Sequence, residues 1–304
     1  MNQSLRYHRL RLIVATALLV TMTIGMLVAT HADIVPSGPL RILLTNDDGW
    51  NAVGIVAVYD ALIAAGHDVT VVAPLTNQSG VGGRIIFGGP PLQVMLQEAR
   101  KYSVAGSPAD AVEVGLSVVF VTKPPDLVIS GTNIGQNIGA ATVHSGTVAA
   151  AVTALNDGVP AIAVSTEIDF ATNVGPFAET GAFVVKLVAV LRKQAKGGPL
   201  LPKTVGLNVN YPIVERGGPP AGVVLTQNGR GFLDLTYTGM LPTTVGESSD
   251  LKIGVNLKIP ESEENADTTA LAANKVSISL LEPDYDAGND VRKQLRKVLE
   301  SLKN

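Results

Sequence analysis

Arg41-Ile42-Leu43-Leu44-Thr45-Asn46-Asp47-Asp48-Gly49 is a short apolar run that breaks into a polar turn closed by glycine. Gly54 to Ala65 then shows helical spacing as far as Gly66, so the segment reads as strand, loop, helix. The same order repeats downstream. Val69 to Ala73 is a strand stopped by Pro74, Pro108 to Val121 a helix with Ser107 as its N-cap, and Asp126 to Ser130 a strand. Gly146 to Asn156 is a helix and Ala161 to Ser165 a strand; Phe177 to Gln194 is a long amphipathic helix, and the strand Val205 to Asn210 is ended by Pro212. Apolar strands without polar alternation are buried on both faces, and strand-helix alternation with right-handed crossovers builds a mostly parallel sheet. Residues 40–212 are therefore expected to form a doubly wound α/β core.

After Pro212 the texture changes. Short strand-like runs at Gly222 to Thr226, Leu233 to Tyr237, Ile253 to Leu257 and Val276 to Leu281 are separated by turn residues rather than helices. Glu261-Ser262-Glu263-Glu264 reads as a solvated loop, and Asp290 to Leu302 as an amphipathic helix with apolar Val291, Leu295, Val298, Leu299 and Leu302. Residues 213–304 thus form a β-rich extension with a terminal helix. A two-stranded hairpin is marginal in water, so these strands need partners, either in their own chain or in a second subunit.

Composition narrows the function. In 304 residues, 46% apolar and 16% charged, there is enough apolar side chain for a large core, which excludes a disordered chain. The 31 glycines and 18 prolines follow no period, which excludes a collagen-like repeat. The absence of cysteine excludes a disulfide, a thiolate nucleophile and Cys-ligated zinc. Net charge is −3, and the first 32 residues contribute Arg6, Arg9 and Arg11 without any acid, so the rest is more acidic still. That balance argues against binding a nucleic-acid duplex, which needs a basic surface. The three arginines precede the uncharged stretch Leu12 to Ala29, and Thr30-His31-Ala32 follows, in the order of a secretory signal peptide. At 18 residues the stretch is also long enough for an uncleaved N-terminal anchor. Either way the body is expected to be exported, with membrane contact only through residues 1–32.

Chemistry in open α/β sheets gathers outside the carboxyl ends of the strands. Four polar, glycine-punctuated loops meet there: Asp47-Asp48; Asn77-Gln78-Ser79-Gly80; Ser130 to Gly139; and His144-Ser145-Gly146-Thr147. Adjacent carboxylates repel unless a cation lies between them, and Ser and Asn oxygens complete a shell suited to a hard divalent ion of the Mg or Mn class. Helix capping by aspartate would account for one of the pair but not both. The Ser130 to Gly139 segment, with Asn133 among three glycines, suits either an ordinary turn or a phosphate-metal site. Ser145-Gly146-Thr147 opens a helix whose free N–H groups make an anion site. Asp110, at a helix start, reads as a capping residue or as one that supports the ligands from behind, rather than as a ligand itself.

RILLTNDDG at 41–49, VAPLTNQSG at 72–80, GSPAD at 106–110, SGTNIGQNIG at 130–139, SGTVAA at 145–150 and LNVNYP at 207–212 resemble, in order and spacing, the SurE survival-protein family of metal-dependent 5'/3'-nucleotidases. ADTTALAANKVSISLLEPD at 266–284 is similar to a later segment of that family. The resemblance implies a Rossmann-like core and a metal held by Asp47, Asp48, Ser79 and Asn133. It places the substrate phosphate between the ion and Ser145-Gly146-Thr147, with Asn133 among the phosphate contacts. It also implies hydrolysis of nucleoside monophosphates and other phosphomonoesters, and a homodimer or homotetramer built with the C-terminal segments. Asp47 or Asp48 is then a candidate general base, and His144 is either the leaving-group acid or structural. Two other readings stand beside it. A metal-dependent nucleoside hydrolase would release free base instead of phosphate, and an exported solute-binding protein would show no turnover.

Overall fold

The computed structural model describes residues 38–214, 217–257 and 260–284, together with 292, 293, 295 and 296. The expected leader, and most of the expected terminal helix, lie outside the described residues. Eleven strands run in chain order: β1 (Arg41–Thr45), β2 (Asp68–Pro74), β3 (Val94–Glu98), β4 (Lys101–Val104), β5 (Leu127–Ile134), β6 (Ala161–Thr166), β7 (Gly206–Tyr211), β8 (Val223–Thr226), β9 (Asp234–Thr238), β10 (Lys252–Asn256) and β11 (Val276–Leu281). Among the described residues up to 284, the α-helices are α1 (Val53–Ala64), α2 (Pro108–Val114), α3 (Gly146–Asn156), α4 (Phe177–Ala195) and α5 (Asp267–Ala272).

Nine strands form one sheet in the order β3-β4-β2-β1-β5-β6-β7-β11-β8. From β4 to β7 all neighbours are parallel. The chain moves outward from β1 through β2 to β4, then returns to β1's other side and moves outward again through β5, β6 and β7. The switch point between β1 and β5 opens a crevice at their carboxyl ends, where doubly wound folds bind ligands.

Strand β1 shows why the sheet is buried on both sides. Ile42 and Leu44 pack with Ile55, Val58 and Leu62 of α1 and Val184 and Val188 of α4. Leu43, one residue out of phase, packs with Val72, with Ala111 and Val112 of α2, and with Val148 and Ala151 of α3. Each fully buried Leu or Ile contributes roughly 1.5–3 kcal/mol by leaving water. Helix α1 lies so close to β5 that a Cβ at Gly54 would strike the Thr132 carbonyl oxygen, which is why glycine stands there.

Several elements differ from expectation. The helix expected over 108–121 stops at Val114 and widens into a π-helical turn, Gly115–Val119, with the Phe120 N–H reaching the Gly115 carbonyl at 2.8 Å. At Gly115 an added Cβ would lie 2.7 Å from Leu43 Cδ2, so the chain crosses directly over β1 there. Strand β5 does not end at Ser130 but continues through Gly131 to Ile134, paired with Ser165 and Thr166 of β6. The β3–β4 hairpin has no counterpart in the sequence reading, because β3 is an exposed edge strand without a buried alternate face. Of the four strands expected after Pro212, β11 joins β7 antiparallel and β8 adds beyond it, whereas β9 and β10 pair only with each other.

Candidate active site

The crevice between β1 and β5 collects the expected residues from four segments. Asp47 and Asp48 leave the end of β1, and neither caps α1, whose N-cap is Ala52 without a side-chain bond. The tight turn is braced by Asn46, whose Oδ1 accepts from the Gly49 N–H at 3.2 Å while its Nδ2 donates to the Gly49 carbonyl. The loop after β2 is strapped to this turn by the Gln78 N–H, which donates to the Asp47 carbonyl at 2.7 Å. That strap brings Ser79, itself exposed, to the rim of the crevice.

Asp47 is 2% exposed and Thr147 is fully buried. The Thr147 hydroxyl donates to Asp47 Oδ1 at 2.6 Å, and the backbone N–H groups of Gly146 and Thr147 also turn toward this carboxylate. Gly146 has no room for a side chain, since an added Cβ would lie 2.9 Å from Asp47 Cβ. The start of α3 is therefore an anion site, but a protein carboxylate takes it. Thr147 and Gly146, expected at the substrate phosphate, orient Asp47 in this structure. The reason is electrostatic: the positive end of the helix dipole stabilises the nearest anion, and Asp47 is already there. Ser145 is the N-cap, accepting from the Val148 N–H at 3.1 Å. His144, at the end of a 3₁₀ turn over Gly139–His144, is exposed, and its carbonyl accepts from the Gly82 N–H at 3.1 Å.

Across the crevice, Asp48 Oδ2 accepts from the Ile134 N–H at 2.9 Å. Burial, then the charge of Asp47, push the Asp48 carboxyl up to about 7. Burial also raises Asp47, against the opposing Thr147 and N–H bonds. Asn133 donates through Nδ2 to the Gly135 carbonyl at 2.7 Å, which leaves its Oδ1 buried with no hydrogen-bond partner. Thr45 Oγ1, at the end of β1, and Ser130 Oγ, opposite it within β5, are likewise buried and unpartnered. Buried oxygens are rarely left so, and water or an ion is their usual partner. Two crowded carboxylates and an orphaned amide oxygen at one strand end fit a hard divalent cation, with Ser79 on the rim as a further oxygen.

Behind the site lies a clamp absent from the expected residues. The Asn137 N–H donates to Asn210 Oδ1 at 2.7 Å and its Nδ2 to Ser165 Oγ at 2.9 Å, while its carbonyl accepts from Asn208 and Asn210. The signal was present in LNVNYP: two asparagines two apart lie on one face of a fully buried strand and must find partners. Asp110 caps α2 in a capping box with Ser107, as expected.

The sequence model of the Survival protein SurE matches residues 42–233. The chain belongs to the SurE family. The 5'-nucleotidase SurE of Solidesulfovibrio magneticus is 45% identical over 175 residues, 57% of this chain and 65% of that relative, so the alignment spans just under two thirds of the relative's length. The 5'-nucleotidase SurE of Methanocella arvoryzae is 41% identical over 203 residues, 64% of this chain and 74% of the relative. That of Rhodopseudomonas palustris strain TIE-1 is 34% identical over 256 residues, 81% of this chain and 94% of the relative. The crystal structure of the SurE protein from Aquifex aeolicus superposes with a TM-score of 0.71 at 31% identity, covering 87% of this chain and all of that one. The SurE fold is thus an α/β core with a mostly parallel sheet, as expected from the sequence.

Proposed function

We propose that this SurE protein is a phosphoric monoester hydrolase that releases inorganic phosphate from nucleoside monophosphates, a 5'-nucleotidase. Asp47, Asp48, Asn133 and Ser79 would hold a divalent cation of the Mg or Mn class. When bound, the cation supplies positive charge to a phosphoryl oxygen and lowers the pKa of an attacking water. The observation that carries the reading is Asn133 Oδ1, buried and unpartnered beside two carboxylates that crowd each other.

The chain's own groups do the rest. Thr147 and the start of α3 hold Asp47 in one orientation, so its carboxylate is fixed before substrate arrives. Asp48 is fixed by the Ile134 N–H and stands as the candidate base for the water proton. Asn133 is fixed by Gly135, with its oxygen free to face the phosphoryl centre. His144, exposed just before Ser145 at the start of α3, would be the group that protonates the leaving alkoxide. A nucleoside hydrolase and a solute-binding protein stay as the alternatives, and the products separate them.

Purified protein stripped with a chelator and offered nucleoside monophosphates is expected to release no phosphate until Mg or Mn is restored. Free base without phosphate, or phosphate release indifferent to chelation, would refute the assignment. We further read the body as exported, either free or anchored through Leu12 to Ala29, on the order of arginines and apolar residues there. A homodimer or homotetramer is supported by hairpin β9–β10, where Tyr237 faces Ile253 and Leu235 faces Val255, all four exposed.

A further inference from the structure

Next to the crevice lies a cavity of about 290 Å³, near the lower end of the range for small-molecule sites. Its place follows from the strands. Gln136, on its wall, is three residues beyond Asn133, so at most about 11 Å of chain separates the two. Glu167, also on the wall, directly follows β6, whose Ser165 and Thr166 pair with Asn133 and Ile134. The cavity and the phosphoryl centre are therefore neighbours, within the reach of one nucleotide.

Its lining has a distinct chemistry. Ile138, Phe232 and Leu257 make an apolar surface. Of its polar side chains, the Thr268 and Thr269 hydroxyls already donate to Glu261 Oε2 and the Ala266 carbonyl, which leaves the Gln136 amide and the Glu167 carboxyl to meet a ligand. Gln136 is 9% exposed, and its Oε1 is buried without a hydrogen-bond partner. Glu167 accepts from the Ile213 N–H through Oε2 at 2.8 Å, and burial raises its carboxyl above the usual range. Glu261 adds a carboxylate that backbone N–H groups keep ionised. Such a pocket repels phosphate and favours a flat apolar group edged with N–H donors.

We propose that this cavity receives the nucleobase of the substrate, with Gln136 Oε1 and the Glu167 carboxyl accepting hydrogen bonds from the amino and ring N–H groups of the base. The proposal rests on the nucleotidase reading and gives it direction: phosphate at β1 and β5, base between loop 136–138 and the extension. Bases carrying an amino group beside a ring N–H, as guanine does, satisfy both acceptors, whereas uracil offers a single ring donor.

Two variants test it, Glu167→Gln at the acceptor and Ala272→Trp, which plugs the cavity from α5 without touching either acceptor. The readouts are the kcat/KM ratio of guanosine monophosphate to 4-nitrophenyl phosphate, which has no base, and calorimetric binding of guanosine alone to metal-free protein. In both variants the ratio is expected to fall about tenfold or more, carried by KM for the nucleotide, and guanosine binding to weaken by a similar factor. An unchanged ratio together with unchanged guanosine affinity would overturn the proposal. If the wild type turned over neither phosphate, the nucleotidase reading would fall. Guanosine binding lost in the variants would still uphold a nucleoside site, and guanosine binding absent from the wild type would end it.

Discussion

Two acidic clusters in this SurE protein have opposite electrostatics. At the crevice both carboxyls are pushed up, Asp47 by burial and Asp48 to about 7 by burial and then the charge of Asp47. In the extension, burial also opposes the Glu261 anion, yet the N–H groups of Glu263, Gly231 and Ser262 and the Thr268 hydroxyl outweigh it and hold the carboxyl down at about 2. At the crevice the hydrogen-bond donors do not offset burial, and in the extension they do. Carboxylates that a fold leaves uncompensated are those set aside for a ligand, and those it surrounds with donors are part of the scaffold.

The largest effect follows at the first cluster. Asp47→Asn removes the charge and keeps an oxygen to accept from Thr147. Phosphate release is expected to fall on the order of 10³-fold and divalent-cation binding by calorimetry to weaken sharply. Metal-free Tm should change little, because the burial cost of the charge goes together with its bonds to Thr147 and the start of α3. Near-normal turnover, or a collapse of Tm with the activity, would put Asp47 in the scaffold instead.

The contrast also shows what the sequence made legible. Asp47 and Asp48 could be found because β1 is apolar to its last residue and the polar break marks its carboxyl end. Asn133 could be found only as one polar residue in a glycine-rich segment, since Gly131 and Gly135 read as loop although the backbone stays paired with β6 as far as Ile134. The bond from Thr147 to Asp47 could not be read from the sequence, because which anion takes a helix N-terminus depends on what another strand places there. Glu261 read as a solvated acid because its partners, Arg230 and Gly231, lie some thirty residues away in the chain. Local pattern thus located the elements, and long-range hydrogen bonds determined the roles.

Hairpin β9–β10 sharpens the comparison from a third position, since none of the expected site residues lies on it. Ile253→Lys places a charge on its apolar face, opposite Tyr237. In an isolated subunit this exposed change costs no more than about 0.5 kcal/mol. Where a second copy covers the face, a lysine there is buried unpaired, and light scattering should show the assembly dissociating toward smaller species. An unchanged mass would mean that the face is open in solution and that the oligomer, if there is one, forms elsewhere.

The smallest effect belongs to Glu261, and its sign is the reverse of that at Asp47. Its carboxyl lies at about 2 in the folded protein, below the ordinary value of 4.5, so the ionised form stabilises the fold. That contribution is fully present above the unfolded pKa of about 4.3 and is lost as pH falls toward 2. Glu261→Gln keeps the shape but weakens the acceptor that gathers the N–H groups of Arg230, Gly231, Ser262 and Glu263. Because the loop is largely wet, solvent screens the gain, and at pH 7 the variant should melt no more than about 2–4 °C below the wild type. The gap should narrow at pH 3.5 and approach zero lower still, as the wild-type carboxyl takes up its proton. Turnover of 4-nitrophenyl phosphate should change far less than in Asp47→Asn, since this carboxylate faces backbone rather than the phosphoryl centre. A melting difference that stays the same at every pH would mean that shape, not charge, makes Glu261 useful to the loop, and the contrast between the two clusters would then be one of burial alone.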